Sequence, residues 1–97
     1  MDKQFDINEF VKTETNQSVL ACLVERERER RKELRLSQKV LALRSGVSYA
    51  SIRRFESTGE ISLTSLLKIG DAIGCLSDFN KLFKNKKIIS LKDYSYD

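Results

Sequence analysis

The sequence predicts an all-α domain of five helices, and three observations carry that prediction. Apolar residues recur at three- and four-residue spacing in separate short segments; serines able to cap helices and glycines able to end them punctuate those segments; and residues 37–56 read as two short amphipathic helices joined by a tight turn. No segment needs a strand to complete the core. A chain of 97 residues has room for a single core, and 40% hydrophobic with 33% charged residues is ordinary for a globular domain.

Taken in order, the chain divides into an N-terminal arm (1–17), a domain (18–84) and a tail (85–97). In the arm, Phe5, Ile7, Phe10 and Val11 accompany Asp6 and Glu9, which are spaced like a capping box. Two readings stand: a short helix packed on the domain, or an arm that orders on a partner. Residues 13–18, TETNQS, lack apolar anchors and read as a linker or helix lead-in. A first helix is expected over about residues 18–34, with Val19, Leu20, Leu23, Val24 and Leu34 on the core and the run ERERERRK as exposed surface. Glu27 and Arg31 are spaced as an i,i+4 pair there.

Ser37 caps the second helix, Leu41 and Ala42 face inward, and Gly46 takes the positive φ that ends it. Ser48 caps the third. At about 100° per residue, Ile52 and Phe55 share a core face, while Ala50, Arg53, Arg54 and Ser57 face away with Tyr49 and Ser51 at the flanks. Residues 57–61 form a loop. Ser62 caps a fourth helix reaching Ile73, whose Leu63, Leu66, Leu67, Gly70 and Ile73 make a core stripe, and Gly70 calls for another backbone packed closely against it. Gly74 ends that helix. Ser77 caps a fifth bearing Leu76, Phe79, Leu82 and Phe83, and the tail NKKIISLKDYSYD reads either as disordered or as an element added to a dimer interface.

Composition excludes several functions. No apolar run approaches the roughly 18 to 20 residues of a membrane span, and the start MDKQFDINEF has neither the basic opening nor the apolar stretch of a signal peptide, so a cytoplasmic protein is expected. Cys22 and Cys75 lie in apolar surroundings without CxxC spacing and are expected as buried free thiols. Histidine is absent, there is no Gly-rich phosphate loop, and no nucleophile, base and orienter occur together. Neither an enzyme nor a cofactor or metal site is expected.

Charge is unevenly placed. Residues 26–54 carry ten basic against three acidic side chains, a net +7, with a net −3 on each flanking stretch, 1–25 and 55–80. A solvated surface would be the ordinary explanation. Its coincidence with the paired short helices points instead to a polyanion, because a helix-turn-helix braces one helix on the backbone and offers a second to the major groove.

The residues then carry a resemblance. "LSQ", "LAxxSGVS", "SIRRFE" and "ISLTSLLKIGDAIG", in that order over roughly residues 27–83, resemble the Cro and phage-repressor (xenobiotic-response-element) helix-turn-helix regulators. The resemblance implies a lambda-repressor-like, five-helix DNA-binding domain with the motif at helices 2 and 3. It departs from the pattern at Gly59, one residue later than usual, at Val40 and Leu43, where charges are common, and at Glu27, where the first helix ordinarily has an apolar core residue. By the same resemblance Tyr49, Ala50 and Arg54 match base-reading positions, and Gln38, Ser51 and Arg53 match DNA-backbone positions. Arg31, Lys32, Arg35 and Lys39 are additional phosphate candidates. Glu56 follows a core phenylalanine and is expected to pair with an arginine of the first helix, since its charge would repel DNA.

The expected function is a sequence-specific DNA-binding regulator, a repressor acting as a homodimer on a pseudo-palindrome of double-stranded DNA. The passage FESTGEISLTSLLKIGDAIGCLSDFNKLF is also similar to regulators found beside kinase-type toxins, which implies an antitoxin with a toxin protein as partner. The competing expectation is a protein-interaction module with little DNA specificity, which exposed Val40 and Leu43 would favour and Arg53 with Arg54 oppose.

Overall fold

The structure is a computed structural model and describes residues 14–85. Four α-helices, α1 (Asn16–Glu33), α2 (Gln38–Ser45), α3 (Tyr49–Thr58) and α4 (Leu63–Ala72), are followed by a short 3-10 helix, η1 (Leu76–Lys81). No strand occurs among the described residues. The readings made for residues 1–12 and for the tail beyond Asn85 lie outside them.

Each α-helix starts where a side chain can satisfy its free N–H groups. Ser37, Ser48 and Ser62 each accept a hydrogen bond from the backbone N–H three residues on, at Val40, Ser51 and Ser65, all at 3.0 Å. The first helix begins earlier than expected: Thr15 is its cap, and Thr15 and Ser18 exchange hydrogen bonds at 2.9 and 3.0 Å. The polar lead-in is thus its first turn. At the other ends, Gly46 and Gly59 close α2 and α3 at φ 78° and 85°, the left-handed region that glycine enters without cost. The one-residue displacement of Gly59 is absorbed by lengthening α3 to Thr58, so the expected loop starts two residues later.

Leu36, Leu41, Val47, Ile52, Ile69 and Ile73 form the core, with Phe55 also buried. α2 packs on both α3 and α4, and α1 crosses onto α3. Within the motif the turn is Gly46, Val47 and Ser48: the glycine bends the chain, Val47 enters the core and Ser48 starts the next helix.

Several expected core positions are corrected. On α1, Val19, Leu23 and Leu34 are exposed, and the inward face is Val24, Glu27 and Arg31, at i, i+3 and i+7. On α4 the stripe runs through Leu66, Ile69, Gly70 and Ile73, so Leu63 is 65% exposed whereas Ile69 is fully buried. The fifth helix is a 3-10 turn capped by no side chain, and Leu82 and Phe83 point to solvent. Gly70 is required by an aromatic ring rather than a backbone, since a Cβ there would lie 2.6 Å from Phe79 Cε2. Cys75 is half-buried and Cys22 exposed, both as free thiols.

The shifted stripe on α4 has a measurable consequence. Ile69→Ala should cost about 2–5 kcal/mol in urea unfolding, as buried large-to-small changes do, while Leu63→Ala should stay within about 0.5 kcal/mol.

Candidate nucleic-acid interface

α3 has two faces because its sequence alternates bulk and charge at helical spacing. Ile52 and Phe55 anchor it in the core, and Tyr49, Ala50, Arg53, Arg54 and Ser57 are exposed on the opposite side, with Ser51 half-buried between them. The outward face is therefore small at Ala50 and cationic at Arg53 and Arg54, which suits close approach to a polyanion.

The exposed side chains are ordered by one another. Lys39 Nζ and Arg53 Cζ lie 5.5 and 5.6 Å from the centroid of the Tyr49 ring, so two cations from successive helices flank one aromatic. Arg54 pairs through Nη2 with Glu60 Oε1, just past the end of α3. Glu60 is held in turn by a hydrogen bond from its N–H to Thr58 Oγ1 at 3.1 Å, and Thr58 Oγ1 donates back to the Arg54 carbonyl at 2.7 Å. Ser51 Oγ accepts from Ser48 Oγ at 2.8 Å, within the cap of the same helix.

Beneath this face lies a buried polar clasp. Arg31 donates from Nε to Glu56 Oε2 and from Nη2 to Glu56 Oε1, both at 2.8 Å, and from Nη1 to the Leu36 carbonyl at 2.8 Å. Gln38 Nε2 adds a bond to Glu56 Oε1 at 2.9 Å. One carboxylate of α3 thus ties together α1, the α1–α2 connection and α2. The expected pairing of Glu56 with an arginine of the first helix is met by Arg31. Arg31 is 8% exposed with its guanidinium committed inside the domain, so the structure removes it from the phosphate candidates. Lys32, Arg35 and Lys39 remain exposed, Arg35 at φ 61° where the chain leaves α1. Gln38 is half-buried, with its amide N–H bound to Glu56.

Glu27 lies beside this clasp. It is 7% exposed, and no group donates to either carboxyl oxygen, so only its protonated form can bond, by donating to the adjacent Glu56 carboxylate. Burial, with the neighbouring Glu56 carboxylate adding to it, pushes its carboxyl up from 4.5 to about 8 against the pull of Arg31 and Arg28. Burial acts to raise Glu56 too, but the hydrogen bonds from Arg31, Glu27 and Gln38 and the Arg31 charge outweigh it, so Glu56 stays below its ordinary value. The hydrogen bond to Glu56 likewise holds Arg31 above its own. The two acids therefore divide the work: Glu56 is the anion and Glu27 the neutral acid.

Nothing in the sequence singles out Arg28 or Glu60. Arg28 comes from the ERERERRK run, where alternating charges hide the helical phase, and its Nε is buried 4.0 Å from Glu56 Oε1. Among the described residues no cluster of His, Cys, Asp and Glu could hold a metal ion, and no helix is long and apolar enough to cross a membrane.

Glu27 makes stability depend on pH in a stated direction. Folding raises its carboxyl, so the folded chain holds a proton that the unfolded chain releases, and stability falls as pH rises from about 4.5 to about 8. With no histidine in the chain to titrate in that window, thermal melts across it should show a declining Tm for the wild type and a level one for Glu27→Gln.

A family model described as helix-turn-helix matches residues 28–79, from within α1 into η1 and more than half of the chain. No curated protein and no solved structure matches the sequence. With the paired short helices, the glycine turn and the cationic outward face of α3 in place, the match settles the class: the chain belongs to the helix-turn-helix family of DNA-binding transcriptional regulators, of the Cro and phage-repressor kind.

Proposed function

We propose that the chain is a repressor that binds a pseudo-palindromic operator as a homodimer, with α3 in the major groove. The observation that carries this reading is the outward face of α3, small and doubly cationic, on a helix fixed to the rest of the domain by the buried Arg31–Glu56 pair. Tyr49, Ala50 and Arg54 face base edges in this arrangement, arginine being suited to guanine O6 and N7 and the alanine methyl to thymine. Gln38, Ser51 and Arg53 meet the DNA backbone, with Lys32, Arg35 and Lys39 as further phosphate contacts. A single module of this kind reads a few base pairs, which favours two copies on one site. The exposed Leu63, Leu76, Leu82 and Phe83 at α4 and η1 supply apolar surface for a second subunit.

A second reading has its own observation. Leu43 is 84% exposed on α2, with Val40 also exposed three residues before it, and neither belongs to the reader face. An apolar pair there suits a protein partner, and the partner of an antitoxin is its toxin.

The test begins by selecting a preferred duplex from a random pool and titrating salt on that duplex and on a scrambled one. Arg54→Ala should lose about 1 to 3 kcal/mol on the selected duplex and flatten discrimination at one or two base pairs. Arg53→Ala should weaken binding to both duplexes and lower the salt slope by about one per subunit. If both variants bind as the wild type does, with circular dichroism showing them folded, the cationic face is merely solvated and the interaction-module reading replaces this one.

The homodimer is checked separately. Light scattering should give a dimer mass on the selected duplex, which should contain half-sites about 34 Å apart, one helical turn; a monomer mass on a single half-site contradicts it.

A further inference from the structure

The charges around α3 do not balance evenly. Glu56 carries one negative charge, and Arg31 answers it with two hydrogen bonds; Glu56 Oε1 already accepts from both Arg31 and Gln38. Arg54 is answered by Glu60. Arg28 comes within 4.0 Å of Glu56 Oε1 but makes no hydrogen bond through its buried Nε, and Arg53 has no ion pair among the described residues. Arg28, paired only at 4.0 Å with a carboxylate that Arg31 already neutralises, and Arg53 line the same open cleft of about 510 Å³ between α1 and α3, whose wall also carries Gln38, Arg54, Ser57 and Glu56 itself. Glu27 adds little countercharge while it keeps its proton.

We propose that this cleft is a phosphate site in which Arg28, reaching across from α1, and Arg53 of α3 hold one phosphodiester of the DNA backbone. The assignment rests on the DNA-binding reading above and adds a contact from α1 to it. A phosphodiester has one negative charge and two unbridged oxygens, so it can accept from both guanidiniums and relieve the repulsion between two cations lining one cleft. The side chain of Arg28 is 41% exposed, which leaves it open to such a ligand, whereas Arg31 one turn later is sealed inside the clasp. Phosphate contacts fix register and carry no sequence information, so the effect of Arg28 should be uniform across sequences.

The experiment is a salt titration of Arg28→Gln and Arg28→Lys on the selected and scrambled duplexes. Arg28→Gln should weaken both by a similar factor and lower the slope by about one per subunit, while Arg28→Lys should keep the wild-type slope. Retained binding with an unchanged slope in a folded Arg28→Gln overturns this assignment alone. Absence of duplex binding by the wild type overturns the DNA reading and this assignment with it. Should Arg28→Gln fail to fold, the Nε–H resonance of Arg28 in the wild type decides the matter. It should shift on adding duplex and stay in place with inorganic phosphate; a shift with inorganic phosphate alone identifies a free-anion site and overturns the DNA-backbone assignment.

Discussion

The orientation of α3 depends on one buried interaction, the two-pronged bond from Arg31 to Glu56. Apolar contacts alone leave a ten-residue helix some freedom to roll, because Ile52 and Phe55 can slide against a greasy surface at little cost. A planar guanidinium bound to a planar carboxylate by two bonds admits far less rotation. The bonds of Gln38 and of the Leu36 carbonyl extend the constraint to α2 and to the connection before it. Replacing such a pair with apolar residues is often neutral for stability, so its value here lies in direction: it aims Ala50, Arg53 and Arg54 outward.

That constraint explains how a second acid can be tolerated next to it. Glu27 occupies a position where an apolar side chain would be the simplest choice, and as an anion it would oppose Glu56 in a setting with little water. Holding a proton removes the conflict, and a neutral carboxylic acid is close in size to the apolar residue it replaces. The proton can be given in a hydrogen bond to Glu56, and the cost is a buried carboxyl group to which nothing donates. Glu27 lines one cavity with Phe55, Ile69 and Ile73, so its neutral form also suits the edge of a core whose own cluster, Leu36, Leu41, Val47, Ile52, Ile69 and Ile73, is wholly apolar.

The sequence revealed most where signals are local. Ser37, Gly46, Ser48 and Ser62 act through their own backbone conformation or through N–H groups three residues away, so the motif and its turn could be placed from spacing alone. The inward and outward sides of α3 were equally legible, because bulky and charged residues separate cleanly over two turns. α1 was not legible in the same way. Its run of alternating Glu and Arg has no apolar stripe to set the phase, so Arg31 read as surface, and only its meeting with Glu56, 25 residues later in the chain, puts it inside. On α4 an excess of apolar residues had the opposite effect. Leu63, Leu66, Leu67 and Ile69 fit more than one face, and packing against α2 selected the face through Ile69.

The bond between Arg54 and Glu60 makes any reading by that arginine an exchange rather than a simple gain. In the free protein the guanidinium is already occupied by a carboxylate close to it in the chain, and an exposed pair of this sort is worth about 0–1 kcal/mol. If Arg54 reads a base as proposed, an edge able to take two hydrogen bonds would exceed that value and draw the arginine away, whereas an ill-fitting edge would leave the pair with Glu60 intact. On the proposed reading the internal carboxylate is a resident competitor: releasing it subtracts up to about 1 kcal/mol from whatever a matching base edge supplies, so only an edge that bonds the guanidinium well repays the exchange.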